Sequence, residues 1–269
     1  MVKKLFKHEM YAYLRTILPM HMILIGIGLL GRFVQLFEND STAYDIVFWS
    51  SVVAFCIGVV VCVLLTFIFG IRRFYTNLFT SEGYLSFTLP VTPTQHIFVK
   101  NTVAFIAQLF SIVMISIATC VITFGDVCVE LFRALGYIIK QFYIQYSQHT
   151  TLFILEIIVT LVVVISTSYM LFYACIALGQ RAKKNRVACA VGIFFAYYMI
   201  LQVLATIAII IVNTFYEELH IEEILNYLYY HPIFTNHLGW CLAIVISLLL
   251  NLLYFAVTKS SITKKLNLE

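Results

Sequence analysis

Residues 46–71 read IVFWSSVVAFCIGVVVCVLLTFIFGI, without one charged side chain. A helix needs about 20 apolar residues to cross a hydrocarbon layer of about 30 Å. This run is therefore a membrane span with residues to spare. The same reading extends in both directions. Residues 101–125 and 187–216 are charge-free, 16–37 carry only Arg32, and 141–180 carry only Glu156. Residues 224–258 hold no charge, and their apolar part begins near Leu238. The spacing predicts six helices at 17–37, 45–71, 96–124, 151–178, 187–213 and 238–258. The fold class is all-α and polytopic, a single transmembrane domain over 1–269.

Composition agrees with this reading. The 269 residues are 62% hydrophobic and 11% charged, with mean hydropathy +0.97. Soluble domains average about 25% charged residues, so this chain has too little polar surface to cover a globule in water. Soluble enzymes, nucleic-acid modules and disordered tails are excluded. With 23 Phe and 17 Tyr the chain is also too aromatic for a coiled coil. Six of the seven cysteines lie inside apolar runs, where thiols pack as small hydrophobes. The basic N-terminus has no small-residue cleavage site after it, so the first span is expected to be retained.

Charge fixes the expected orientation, because basic residues collect on the cytoplasmic side. With the N-terminus inside, the inner segments hold four Lys or Arg in 1–16, three in 72–100, four in 181–186 and three in 259–265. That is fourteen of the 17, leaving Arg32, Arg133 and Lys140 outside. Segments 126–150 and 214–236 are then extracellular, both termini are cytoplasmic, and Trp49 and Trp240 fall near outer helix ends. Arg32 lies about 25 Å along the first span at 1.5 Å per residue, where its side chain reaches the far interface. Residues 1–16 are a distinct element: Phe6, Met10, Tyr13, Leu14 and Ile17 form an apolar stripe opposite Lys4, Lys7, Tyr11 and Arg15. That pattern predicts a helix lying along the inner leaflet.

The inner connection 72–95 stays half apolar, with Phe74, Tyr75, Leu78, Phe79, Tyr84, Leu85, Phe87 and Leu89. A solvated loop would not keep so many large side chains, which pack either on the bundle's own ends or on a partner. Ser81 caps a short helix from Glu82, and Pro90 closes it. Thr92, Pro93 and Gln95 then form a capping box with proline in the first turn, opening the third span.

The run RRFYTNLFTSEGYLSFTLPVTPTQHIFVK (72–100) closely resembles the connection between the second and third spans in permease subunits of bacterial ABC exporters. These belong to the six-span class with an N-terminal elbow helix, common in low-GC Gram-positive bacteria. The resemblance implies that 1–16 is the elbow and that the short helix couples the permease to a separate ATPase. Glu82, Gly83, Tyr84, Phe87, Leu89 and Pro90 match the motif and would carry that contact. It further implies two ATPase subunits per complex and a second permease, identical or paralogous, in a bacterial cell membrane. No phosphate-binding G-x-x-x-x-G-K-[ST] motif occurs in the chain. The chain is thus expected to be no enzyme and to carry no cofactor, with ATP and Mg bound by the partner.

Polar residues within spans are functional candidates by default. Glu156 either faces an outer vestibule and a cationic cargo, or pairs with Arg32 or Lys140. Gln108 and Gln202 sit near mid-membrane and either line a path or, like Asn251, make interhelical hydrogen bonds. His220, Glu222, Glu223, His231 and His237 share an outer segment, either as a polar cap with an amphipathic helix over 215–230 or as a metal site of unfamiliar spacing. Ala188, Gly192 and Ala196 give a small-residue face for close helix contact, within the bundle or across a dimer. The leading function is the exporter permease, with a peptide, drug or lipid-like cargo. The alternatives are an autonomous secondary transporter and a non-transporting sensor or assembly partner.

Overall fold

The computed structural model describes residues 1–39, 41–88, 90–216, 218 and 220–264. Leu89 and Lys265, which the sequence reading used, lie outside the described residues. The elements, in order, are α1 (Val2–Gln35), α2 (Thr42–Phe79), α3 (Ser81–Thr88), α4 (Pro93–Ile122) and α5 (Asp126–Tyr146). A 3-10 turn (Ser147–His149) leads into α6 (Thr150–Gly179), α7 (Arg186–Thr214), α8 (Ile221–Tyr230) and α9 (Pro232–Lys264). Every one is helical. Six helices are long and apolar enough to cross a membrane, α5 running on through the turn into α6 as one apolar stretch, Val127–Gly179.

Met1–Phe74 with Leu89–Gln145 form one compact unit, and Tyr75–Thr88 with Tyr146–Glu269 form another. In the first unit α1 packs along α4. Its buried residues, Glu9, Tyr13, Ile17, His21, Leu24, Gly28 and Gly31, recur every three or four positions and so line one face. Leu24, Phe55, Cys62, Ala118 and Ile122 make the core where α1, α2 and α4 meet. Gly28 lets α1 and α4 approach, since a Cβ there would lie 3.2 Å from the Ala118 carbonyl oxygen.

That buried stripe changes the expected first element. Residues 2–16 are continuous with the first span as the first half of α1, which runs unbroken with Pro19 inside it. A proline in a helix interior costs about 3 kcal/mol. Here the packed face runs through it from Ile17 to His21, and burial of that face offsets the loss. At 34 residues α1 is about 51 Å long, well beyond the hydrocarbon thickness, so its first turns project past the membrane.

At the opposite end of this unit, Arg32 donates to Gln35 Oε1 at 2.7 Å, and Gln35 Nε2 donates to the Ile122 carbonyl at 3.2 Å. Gly125 takes φ +116°, open only to glycine, beside the Arg32 guanidinium. The α4 start follows the sequence: Gln95 N donates to Thr92 Oγ1 at 3.3 Å, Thr92 N donates to Gln95 Oε1 at 3.1 Å, and Pro93 leads the helix.

In the second unit α6 packs against α9 and α7. Tyr169, Met170, Tyr173 and Ala174 are its buried face. Asn251 Nδ2 donates to Ser166 Oγ (3.1 Å) and Thr167 Oγ1 (3.2 Å), the interhelical role expected of it. Gly179 lets α6 and α7 come close, since a Cβ there would fall 2.7 Å from the Ala190 Cβ. Ala188, Gly192 and Ala196 lie on the other side of α7 and are exposed. Arg181 Nη2 donates to Ser261 Oγ at 3.0 Å.

Two outer-segment expectations are refined. Residues 126–150 hold the 21-residue helix α5, and 214–236 hold α8 and the start of α9, six residues before the expected span at 238. Tyr146 is a poor labelling position, because Asn236 Nδ2 donates to its hydroxyl at 3.1 Å. Tyr143 and Glu218 are exposed. Single cysteines at either position should react with a membrane-impermeant maleimide in intact cells. Reaction only after permeabilisation would reverse the orientation.

Candidate functional site

Among the described residues, two charged clusters join side chains far apart in the sequence. The first is built from α1, α2 and α4. Glu9 is 2% exposed. Its two carboxylate oxygens separate its partners: Arg73 Nε donates to Oε2 at 2.5 Å and Lys100 Nζ donates to Oε1 at 2.8 Å. Lys100 is itself 3% exposed. Glu9 stands one turn before Tyr13 on the buried stripe of α1. Arg73 is placed there because α2 runs on past the expected end at 71. Lys100 faces the same point because the capping box sets the start of α4.

Burial alone would raise the Glu9 pKa, but the charges and hydrogen bonds of Lys100 and Arg73 outweigh it and hold the carboxyl below its ordinary range. Glu9 is then ionised at neutral pH. Because the folded value is the lower one, its stabilisation is full above the unfolded carboxylate pKa and is lost as pH falls through the lowered folded value.

Further along the same helices lies a buried polar chain of His21, Ser111 and Thr66. His21 Nδ1–H donates to the Ile17 carbonyl at 2.9 Å, and its Nε2 is hydrogen-bonded to Ser111 Oγ at 2.8 Å. Thr66 Oγ1 donates to the Cys62 carbonyl at 2.8 Å and lies 3.4 Å from Ser111 Oγ. Gln108 is buried on α4, one turn before Ser111. Buried polar groups in a span need partners in protein, and this chain supplies them between three helices.

Sequence reading missed all of these except Gln108. A signal existed: Lys100 falls inside the third span, and Glu9 and His21 share the helical register of Tyr13 and Ile17.

The second charged place is in the other unit, where α6 meets α9. Glu156 on α6 is paired within this unit. Its partner is His237, whose Nδ1 lies 2.8 and 3.0 Å from the two carboxylate oxygens. A carboxylate only accepts, so Nδ1 carries the proton. The His237 ring stacks on Phe153 at 4.0 Å between centroids, fixing its plane. Glu156→Gln keeps an acceptor for His237 and should change stability by less than about 1 kcal/mol, whereas Glu156→Leu should cost about 1–3 kcal/mol by orphaning it. Thermal unfolding of both variants distinguishes pairing from a need for charge.

His220, His231 and His237 do not converge on one point, although the His149 ring lies 5.4 Å from that of His237. His220 pairs with exposed Glu223 at 3.5 Å, His231 stacks on Tyr227, and no group of three potential metal ligands occurs among the described residues. Gln202 is exposed on α7.

The short helix between the second and third long apolar helices is present as α3, Ser81–Thr88. Gly83 is buried, and its N–H donates to the Thr80 carbonyl at 2.8 Å. Glu82 and Pro90 are exposed. Tyr84 is 53% exposed, and Leu85, which is not among the residues matching the motif, is 73% exposed.

No family model, no curated protein and no solved structure matches this chain.

Proposed function

We propose that this chain is the membrane-spanning permease subunit of an ATP-driven ABC exporter in a bacterial cell membrane, with both termini cytoplasmic. The observation that carries the reading is α3. It is an eight-residue helix, set in the chain between two long apolar helices, that exposes Tyr84 and Leu85. The surface suits the role of a coupling helix docking into a separate ATPase, with Glu82, Tyr84, Phe87, Leu89 and Pro90 at the contact and Gly83 supporting it from inside. Two such ATPases supply ATP and Mg, and a second permease completes the translocation path. Cargo is a peptide, drug or lipid-like molecule. Movement of α3 with the ATPases would switch the permease between inward- and outward-open states.

The resemblance of residues 72–100 to exporter permeases and the six apolar helices support this reading. The test is purification of the chain from its native membrane in mild detergent, with identification of co-purifying subunits. A stoichiometric ATPase is the expected result. Transport by the chain alone in liposomes without nucleotide would replace this reading with an autonomous transporter.

A further inference from the structure

The turn joining α6 to α7 borders, with the end of α2, an open groove of about 530 Å³ lined by Tyr75 and residues 183–188. Three of those residues are cations, Lys183, Lys184 and Arg186, and none of the lining residues carries a carboxylate. Asn185 adopts a left-handed backbone at φ +52° and makes no side-chain cap on α7. The positive end of the 29-residue helix α7 therefore adds to the same field.

We propose that this groove binds the phosphate headgroup of an anionic phospholipid. The site has two parts that fit the two parts of a lipid. The volume and cations suit a phosphodiester, as basic pockets between membrane helices do. Val187, which lines the groove, is followed at helical spacing by Val191 and Phe195, all three exposed. That apolar strip opens the charge-free run 187–216, so it lies at acyl-chain level while the groove lies at headgroup level. A free phosphate would use the cations and leave the strip without a function.

The experiment is native mass spectrometry of the full chain in detergent, titrated with phosphatidylglycerol and, separately, phosphatidylcholine. The wild-type chain should hold phosphatidylglycerol in preference to phosphatidylcholine. K183Q/K184Q should weaken phosphatidylglycerol binding about thirtyfold and K184Q alone about fivefold, from the usual strength of one lysine near an anionic lipid. K3Q/K4Q removes the same charge elsewhere and should bind as wild type. Equal loss in K3Q/K4Q, or no loss in either groove variant, overturns the proposal. Displacement of the lipid by inorganic phosphate at millimolar concentration also overturns it, and assigns the groove to a soluble phosphoryl anion.

Discussion

Glu9→Gln will destabilise the folded chain by about 3–5 kcal/mol, the usual cost of removing one partner from a buried ion pair. The substitution preserves shape and an acceptor oxygen, so packing is not the cause. It leaves the Lys100 ammonium, 3% exposed, with no counter-charge on Glu9. Arg73, whose side chain is 17% exposed, can turn partly to water and loses less. The measurement is thermal unfolding in detergent micelles, with the midpoint expected to fall on the order of 10 °C.

A triple replacement, Glu9→Leu with Arg73→Met and Lys100→Met, should recover most of that loss, since apolar side chains of similar volume are often as stable as a buried triad. Wild-type stability in Glu9→Gln would mean the charges do not need one another. Failure of the triple variant to recover, with Glu9→Gln impaired, would place the cost in hydrogen-bond geometry instead.

Tyr84→Ala with Leu85→Ala should leave the chain inserted and folded while loosening the proposed ATPase by more than about 2 kcal/mol, about thirtyfold in affinity. The first half of this expectation follows from exposure. Neither side chain is part of a core, so truncation opens no cavity. The second follows from the size of the two side chains and their adjacency on a helix of eight residues. Tyrosine contributes a rigid ring at small entropic cost, which is why it recurs as an anchor at interfaces. Co-purification and cargo-stimulated ATP hydrolysis are the readouts. A double variant that keeps its ATPase and transports normally would make α3 a cover for the chain's own helices, and the permease reading would lose its main support.

The spans were legible because one physical signal dominates them. Twenty or more residues without charge can only cross lipid as a helix, whatever they later touch. The capping box at Thr92 and the short helix before Pro90 were legible for a similar reason, since local hydrogen bonds decide helix ends. Periodicity also located a packed face on α1, but not its partner. An apolar stripe at Tyr13 and Ile17 reads the same against lipid as against α4. Only the buried neighbours Glu9 and His21 show that the face meets protein, and that the helix runs on through Pro19. The partners of single charges were not legible either. Glu156 lies 81 residues from His237, and Glu9 lies 64 from Arg73 and 91 from Lys100. Sequence composition determined that this protein lives in a membrane and how many times its helices can cross it. Tertiary structure alone decided which charges share a site, because electrostatic pairing depends on distances that no local pattern encodes.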